Sequence, residues 1–396
     1  MKIAFVIPWY GEEVKGGAEM ELREVSVHLA AAGVDVEILT TCAKSFDSNW
    51  NVNYYAEGTA YVCGIPTRRF PVKSRDTQLF NKINRKLMRG ENVNMREEKI
   101  FLNEMINSPS LYSYIEEKES LYDLFVFIPY MFGTTFFGVL SCPPNKSVMM
   151  PCLHDECYAH MFMFRQTYIN IKGMIFNSRP EQELANRLYD LQETKQACIG
   201  IGMNTEIKSS PDDFRKKFGI NKPFVLYAGR KDTGKNVDTL LKYFAEYKMR
   251  NIQSDLELVL IGGGEIEFPD GMDSYIHDLG YVDKADKYNA MAAAEFLCQP
   301  SKNESFSIVV MESWLCGRPV LVNEKCPVTA NFVRQAQGGL YFKDYYEFEG
   351  CLKWFENNKK DASELGKMGC TFVKDHFEWR KITDKYIKFF KELTEE

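Results

Sequence analysis

Residues 296–312 read FLCQPSKNESFSIVVME, and this stretch sets the pattern for the whole chain. The apolar run at 296–298 has the character of a buried strand, the polar loop after it carries Glu304, and a helix is predicted to open near Phe306. Strand, loop and helix in this order build parallel sheets that helices cover on both faces. Amide N–H groups at such a helix start attract phosphate, helped by the helix dipole.

The same alternation recurs through the rest of the chain. Further apolar runs, each followed by a turn and a helical pattern, lie at 3–7, 34–39, 124–128, 148–152, 174–176, 224–228, 256–261 and 320–322. The pattern restarts after a polar stretch. We therefore predict an α/β protein with two Rossmann-like domains whose parallel sheets face each other across a ligand-binding cleft. The predicted segments are a domain at 1–203, a linker at 204–222, a domain at 223–375, and a helix at 376–396 that packs back on the domains.

Composition excludes several classes of protein. A chain of 396 residues is too long for one hydrophobic core, and its 49 Lys and Arg against 55 Asp and Glu argue against nucleic-acid binding. Eleven scattered cysteines, and a first apolar run too short for a signal peptide, predict a reducing, cytoplasmic location. The uncharged segment 124–145 is expected to form a strand and a helix rather than a membrane span, because Pro129, Gly133 and Gly138 interrupt it.

Two carboxylates give the strongest chemical signal: Glu304 in the loop and Glu312 about two turns into the helix. At about 1.5 Å per residue they lie up to roughly 12 Å apart. A glycosidase pair needs about 5 to 9.5 Å. The wider spacing suits one carboxylate on a sugar and the other on a ribose, with a diphosphate between them over the helix start. In the structural alternative, Glu304 caps the helix and Glu312 lies on a solvated face.

A second signal follows the predicted strand at 224–228. There the sequence Gly229-Arg-Lys-Asp-Thr-Gly-Lys235-Asn236 nearly matches a phosphate-binding P-loop, but Asn236 stands where a Ser or Thr hydroxyl would reach magnesium. The other interpretation makes Arg230 and Lys235 two cations that neutralise a diphosphate leaving group in place of a metal. Solvated surface charges are the third possibility.

Two loops in the first half of the chain offer further contacts. Gly16 and Gly17 follow the first strand, where paired glycines let the backbone approach a ligand, although many such loops are only turns. His154 follows the run at 148–152 and is expected to reach the cleft, the alternative being a structural histidine. The spacing disfavours a zinc site built from the four residues Cys152, His154, Cys157 and His160.

Together these motifs resemble the large GT-B family of retaining glycosyltransferases usually numbered four. The resemblance covers nearly the whole chain, in the family's order. It rests on Gly16-Gly17-Ala18-Glu19, His154, Gly229-Arg230, Lys235-Asn236 and Glu304-x7-Glu312, with Gly317 and Pro319 behind them. Features such as Arg68-Arg69-Phe70-Pro71 and Phe176-Asn177-Ser178 look like the bacterial enzymes that build O-antigen and capsule repeats. The sequence departs from the family at Ser307, where glycine is common.

The resemblance implies a sugar transfer from a UDP- or GDP-linked donor with retention of configuration, by front-face attack and without a metal or other cofactor. Arg230 and Lys235 would stabilise the departing diphosphate, Glu304 and His154 would contact the donor sugar, and Glu312 would bind the ribose. The remaining donor contacts would come from the backbone of Gly16, Gly17, Gly229, Tyr281, Val282, Ser305, Phe306, Ser307, Ile308 and Val309.

The acceptor side is less clearly encoded. Residues 68–89 contain eight basic residues and one acid, with Phe80, Ile83 and Leu87 at helical spacing. We expect a basic amphipathic helix that rests on an anionic membrane and meets a lipid-linked glycan acceptor; a solvated surface helix is the alternative. Two other functions stay open: a P-loop-like nucleotide-binding protein or ATPase, and a non-catalytic partner that binds a nucleotide sugar.

Overall fold

The structure, a computed structural model, describes residues 1–14 and 16–395 and divides into two compact units. The first unit comprises Met1–Gly202 and Trp379–Glu396, and the second comprises Met203–Glu378. Lys15 in the glycine loop and Glu396 at the end of the predicted last helix lie outside the described residues. Each unit is built on a largely parallel sheet, so the predicted α/β class with two parallel-sheet domains is confirmed.

An eight-stranded sheet forms the centre of the first unit. Its strands, β1 to β8, are Lys2–Ile7, Asp35–Thr41, Gly58–Val62, Ile65–Phe70, Leu124–Phe127, Ser147–Met149, Gly173–Phe176 and Lys195–Cys198. The order across the sheet is β3-β4-β2-β1-β5-β6-β7-β8, and only β3 and β4 pair antiparallel. The strand order reverses between β1 and β5, the place where doubly wound sheets bind ligands at their carboxyl edge.

Seven helices follow these strands in the first unit: α1 to α7 are Gly17–Ala31, Thr77–Met88, Met95–Asn103, Pro109–Lys118, Gly133–Ser141, Phe162–Thr167 and Arg179–Leu188. Helix α1 buries Leu22, Val25 and Leu29, the face that their spacing predicts. The apolar segment 124–145 forms β5 and α5. Within residues 1–14 and 16–395, no helix combines the length and the apolar character needed to cross a membrane.

The second unit has a six-stranded parallel sheet. Strands β9 to β14 are Phe224–Ala228, Glu257–Ile261, Ile276–Asp278, Phe296–Gln299, Val320–Asn323 and Gly339–Phe342, and helices α8 to α14 are Pro211–Phe218, Val237–Arg250, Lys284–Ala293, Ile308–Leu315, Pro327–Ala336, Tyr345–Asn357 and Lys359–Phe377. The sheet order β11-β10-β9-β12-β13-β14 is the 3-2-1-4-5-6 order of a Rossmann sheet. All five loops that leave β9 to β13 therefore start at one edge of the sheet.

Two segments differ from the sequence-based boundaries. The stretch 204–222 is not an extended linker, because it contains α8, which packs against α10 within the second unit through the ion pair of Lys217 and Asp286. The last helix, α15 (Trp379–Thr394), belongs to the first unit. It buries Ile382, Tyr386 and Leu393, which lie on one face of the helix.

The basic segment 68–89 does not form one amphipathic surface helix. Arg68 and Arg69 lie on β4, where Arg68 pairs with Glu37 and Arg69 donates to the carbonyl of Tyr10. The apolar face of α2, formed by Phe80, Ile83 and Leu87, is part of the core of the first unit and is not available to a lipid surface. The expected contact of this segment with an anionic membrane stays a prediction, because periodicity alone did not reveal that the apolar side of α2 faces a core.

Candidate active site

The carboxyl edge of the second unit's sheet brings the strongest predicted residues together. The Nζ atom of Lys235, in the loop after β9, lies 2.7 Å from Oε1 of Glu304, in the loop after β12. The side-chain amide of Gln299 connects this pair to the start of α11, since its Nε2 lies 3.3 Å from Glu304 Oε1 and 3.4 Å from Ser307 Oγ. Glu304 binds Lys235 and Gln299 and does not cap α11. The interpretation of Glu304 as a helix-capping residue is therefore excluded.

Asn236 holds the loop after β9 in place. It adopts a left-handed conformation with φ of 59° at the start of α9, and its side-chain amide donates to the carbonyl of Pro300. Asn323, at the end of β13, donates to the same carbonyl. These two bonds fix the loops after β9 and β12 relative to each other. The residue that breaks the P-loop pattern is thus the one that joins the two loops.

Several amide groups of the loop after β9 are already used within the protein. The N–H of Lys231 donates to Gly263, that of Lys235 to Asp232, and that of Asn236 to Thr233. A P-loop needs such amides free to surround a phosphate. The structure therefore disfavours the P-loop interpretation.

The two remaining cations of this loop have different environments. The Arg230 side chain is 67% exposed, with its Nε 3.5 Å from Asp232 Oδ2, so it is free to turn toward a ligand. The Lys231 side chain is only 2% exposed and lies 2.6 Å from both carboxylate oxygens of Asp278 at the end of β11. Lys231 therefore anchors the loop, whereas Arg230 and Lys235 supply its available positive charge.

Glycines in the loop after β10 permit a close approach of two backbones. Gly262 has φ of 126°, and a Cβ atom there would collide with the carbonyl of Gly229. The Gly262 N–H donates to the carbonyl of Gly280, which precedes Tyr281 and Val282. The loops that carry Gly229 and Tyr281-Val282 thus both contact the loop at 262–264, and the Tyr281 side chain is 66% exposed.

The start of α11 presents free backbone donors. Ser307 precedes the helix with φ of 77°, and its side chain does not cap the helix. That conformation is easiest for glycine, the residue that the resemblance leads one to expect at this position. The N–H groups of Ile308 and Val309 have no acceptor among the described residues. The Phe306 ring packs on Phe332 in the core, so Phe306 offers only backbone atoms.

Glu312 is buried, which excludes the interpretation of a solvated carboxylate. Its Oε1 accepts from Lys287 Nζ at 2.5 Å and from the Tyr288 hydroxyl at 3.2 Å. Its Oε2 is inaccessible to solvent and has no donor in the described part of the chain. A buried carboxylate oxygen without a donor costs free energy, and a ligand hydroxyl could supply the missing bond only after the Glu312 side chain turned toward it.

The glycine loop of the first unit already contains a carboxylate. Glu19, in the first turn of α1, is 7% exposed, accepts from the Trp9 indole N–H, and lies where a Cβ atom on Gly16 would be. Gly16 is therefore needed to make room for Glu19, whereas Gly17 has open space around its Cβ position. The predicted diphosphate contact of Gly16 and Gly17 stays a prediction.

His154 lies in the loop that follows β6, at the carboxyl edge of the first unit's sheet. Its Nδ1 is 3.8 Å from Glu156 Oε1, and the side chain is 31% exposed. Two neighbouring side chains are engaged within the protein: His160 pairs with Asp155, and burial raises the pKa of the Cys152 thiol. Within residues 1–14 and 16–395, no three His, Cys, Asp or Glu side chains could hold a metal ion together.

Several residues that shape these sites were not found from the sequence. Gln299 and Lys287 contact predicted residues, and Lys231 anchors the loop that carries Arg230. Each lies in or beside an apolar or highly charged segment where nothing marks it. Asp278 is 47 positions from its partner Lys231. Only the fold brings such residues together.

The comparisons with known proteins all find glycosyltransferases. Residues 210–370, all within the second unit, match the family model described as Glycosyl transferases group 1. D-inositol 3-phosphate glycosyltransferase of Xylanimonas cellulosilytica is 27% identical over 173 residues, which are 38% of this chain and 40% of that protein.

A second relative is N-acetylgalactosamine-N,N'-diacetylbacillosaminyl-diphospho-undecaprenol 4-alpha-N-acetylgalactosaminyltransferase of Campylobacter jejuni. It is 32% identical over 201 residues, which are 49% of this chain and 53% of that enzyme. The chain thus spans about half the length of the curated relatives it matches.

Similarity to solved structures extends over the whole chain. The Anabaena protein HepE in complex with UDP-glucose has a TM-score of 0.69, covering 99% of this chain and 100% of that protein at 17% identity. Other similar structures are glycosyltransferases with the GT-B fold. The chain therefore has the GT-B fold class.

Proposed function

We propose that the chain is a retaining glycosyltransferase that moves a sugar from a UDP- or GDP-linked donor to a glycan acceptor. The observation that carries this proposal is the contact of Lys235 with Glu304 on the same sheet edge as the free amides that begin α11. A cation for phosphate, a carboxylate for sugar hydroxyls and exposed helix N–H groups are what a sugar diphosphate requires. The group 1 match over 210–370 supports the same conclusion.

Each donor contact follows from the chemistry of its residue. Arg230 and Lys235 bind the diphosphate, and the Ile308 and Val309 amides bind its oxygens or those of the sugar. Glu304 accepts from sugar hydroxyls. Glu312 accepts from a ribose hydroxyl once its side chain turns to expose a carboxylate oxygen.

The transfer needs charge stabilisation more than a strong base. The bond between the anomeric carbon and the β-phosphate oxygen breaks, and its electron pair stays on that oxygen. The acceptor oxygen forms the new bond on the same face, and its proton passes to the departing phosphate. Arg230 and Lys235 neutralise the charge that accumulates on the diphosphate, which is the role of a metal in other transferases.

The acceptor is proposed to be a glycan linked to a lipid diphosphate at the cytoplasmic face of a membrane. The name of the Campylobacter jejuni relative, which includes a diphospho-undecaprenol acceptor, supports this class. Lys73, Lys82, Arg85 and Arg89 remain exposed on or beside α2 and can attract anionic lipid without inserting.

A thermal-shift panel of UDP, GDP, ADP and dTDP and their sugars tests donor binding. A ligand at about a hundredfold excess over its Kd should stabilise the protein by about 2.7 kcal/mol. With the donor so identified, Arg230→Ala and Lys235→Ala should each lower kcat/KM for donor hydrolysis or transfer at least tenfold, which is about 1.4 kcal/mol of transition-state stabilisation.

Lys242→Ala is the matched control, because Lys242 is exposed on α9 and should leave the rate unchanged. Full activity in both loop variants would exclude their role on the leaving group. Hydrolysis of ATP with magnesium, in a protein that no nucleotide sugar stabilises, would instead support the ATPase alternative.

A further inference from the structure

A groove of about 510 Å³ lies in the first unit, at the carboxyl ends of the neighbouring strands β2 and β4. One wall is the loop after β2, with Phe46 and Trp50, and the other is the segment around the start of α2, with Arg75 and Asn81. This volume falls within the range of about 300 to 1,000 Å³ of small-molecule sites. None of the donor contacts proposed above uses these residues.

Arg75 is a partly buried charge, and the carboxylate of Glu104 interacts with it electrostatically without forming an ion pair within 4 Å. Its guanidinium carbon lies 4.7 Å from the centre of the Trp50 ring and 4.4 Å from that of Phe80, so the two rings enclose it. Its Nε donates to the carbonyl of Glu104 at 2.6 Å. Neither Nη atom has a hydrogen-bond acceptor, and no carboxylate lies within 4 Å, among the described residues. Burial lowers the pKa of Arg75.

A buried cation of this kind costs free energy unless an anion pairs with it. The guanidinium group presents parallel N–H donors that match a carboxylate or a phosphate. Asn51 holds the backbone of Arg75 in position. Its side-chain oxygen accepts from the backbone N–H of Arg75 at 2.7 Å, and its side-chain amide donates to the backbone carbonyl of Arg75. The backbone of Arg75 is thus held in place, and its guanidinium group, which has no carboxylate within 4 Å among the described residues, can pair with an anion in the groove.

The rest of the groove fits a sugar ring. The Phe46 side chain is 50% exposed and rests edge-on against Trp9 and Trp50, which leaves apolar surface for the ring carbons of a pyranose. The side-chain amides of Asn49 and Asn81 line the groove, and neither amide nitrogen bonds to another described residue. These groups can exchange hydrogen bonds with sugar hydroxyls.

We propose that this groove binds a pyranose that carries an anionic group, a carboxylate or a phosphate, with Arg75 on the anion and Phe46 on the ring. Taken with the proposed function, on which this identification rests, the ligand is the terminal sugar of the acceptor. The site selects acidic over neutral glycans. Asp47, an exposed carboxylate in the same groove, weakens the attraction of the anion.

Saturation-transfer NMR on the full chain, without nucleotide, tests the proposal with three probes: methyl β-D-glucuronide, glucose 6-phosphate and methyl β-D-glucoside. At least one anionic probe should bind at least tenfold more tightly than the neutral glucoside, and the one preferred identifies carboxylate or phosphate as the natural group. Arg75→Gln should abolish this preference. Phe46→Ala should weaken all three probes, and Asp47→Asn should strengthen the anionic ones.

Arg96→Gln is the matched control, since Arg96 is exposed on α3, outside the groove, and should change nothing. If Arg75→Gln does not fold, Phe46→Ala and Asp47→Asn carry the test, because both residues are exposed. Equal binding of all three probes to the unaltered chain, or a preference that Arg75→Gln retains, would overturn the proposal. If the chain hydrolyses a nucleotide-sugar donor but binds the three probes equally, the proposed role of the groove is refuted and the proposed function stands. If the chain prefers an anionic probe but binds no nucleotide, the proposed function is refuted.

Discussion

The free energy of unfolding should fall as pH rises from 6 to 8, and replacing Glu21 by glutamine should remove about 2 kcal/mol of that fall. Glu21 lies on α1 and is only 2% exposed. Asn177 Nδ2 donates to its Oε2 at 3.1 Å. Its Oε1 and the Asn177 side-chain oxygen are both buried, and neither has a donor among residues 1–14 and 16–395. A single proton on Oε1 would give both atoms a partner, so the neutral acid fits this site better than the carboxylate.

The magnitude follows from the pKa. Burial, and secondarily the charge of Glu181, raises the pKa of Glu21 from 4.5 to about 8, against the opposing effect of the Asn177 hydrogen bond. Between these two values the folded chain keeps a proton that the unfolded chain has lost, so stability decreases as pH rises. From pH 6 to pH 8 the expected loss is about 2 kcal/mol, at up to about 1.4 kcal/mol per pH unit.

Other titratable groups lie near Glu21, and their pKa values determine which quantity the assay must measure. Burial also raises the pKa of Glu181, to about 7, while the Cys152 thiol and the Tyr386 phenol have pKa values raised well above their ordinary values and stay neutral. Because Glu181 titrates in the same range, the informative quantity is the difference between the unaltered chain and Glu21→Gln at each pH. Glutamine can form the same pair with Asn177 at any pH.

Urea denaturation of both chains at pH 6, 7 and 8, followed through the unfolding of the first unit, gives that difference. At a slope of about 2 kcal/mol per M, the gap between the two midpoints should change by roughly 1 M across this range, in favour of Glu21→Gln at high pH. Glu24→Gln is the control, an exposed position on the same helix. A gap that stays constant from pH 6 to pH 8 would refute the conclusion that Glu21 is protonated in the folded chain.

Two further predictions concern the second unit. At Ser307, where φ is 77°, glycine should leave stability within about 0.5 kcal/mol, whereas valine should cost at least about 1 kcal/mol because a β-branched side chain is strained there; equal midpoints for the two variants in urea would contradict this. Lys231→Met removes the partner of Asp278 and should destabilise the unit by about 2 to 3 kcal/mol, since Asp278 is partly exposed and partly rehydrated. Asp278→Asn in the Lys231→Met background should recover part of that loss, and a further decrease would show that the carboxylate has another role.

The buried parts of the fold could be predicted from the sequence, and the edges could not. The central strand β9 was predicted with the observed bounds, because its five residues are all apolar and all buried. Strand β3 was missed because four of its five residues are exposed at a sheet edge, so it shows no apolar run. Strand β8 was missed for the same reason. The hydrophobic pattern of a sequence indicates which residues are buried. A strand at the edge of a sheet is held by backbone hydrogen bonds and need not be buried, so this pattern does not reveal it.

The site shows a similar division. Glu304 and Glu312 could be found because a loop and the helix after it keep them at a fixed spacing along the chain. The sequence predicted that Lys235 and Glu304 both contact the sugar donor. It did not predict that the two side chains form an ion pair with each other, which only the structure shows. Arg75 was counted as one charge in a basic segment, because nothing in the sequence shows that Trp50 and Phe80 enclose it.

The contact between Lys235 and Glu304 also bears on selectivity in a cell, where free phosphate is abundant. A lone phosphate that binds Lys235 must break an existing ion pair and leave Glu304 without its donor. A sugar diphosphate offers a replacement to both residues at once, an anion for the ammonium group and hydroxyls for the carboxylate. The resting pair would then act as a filter that discriminates against common small anions before any chemistry begins.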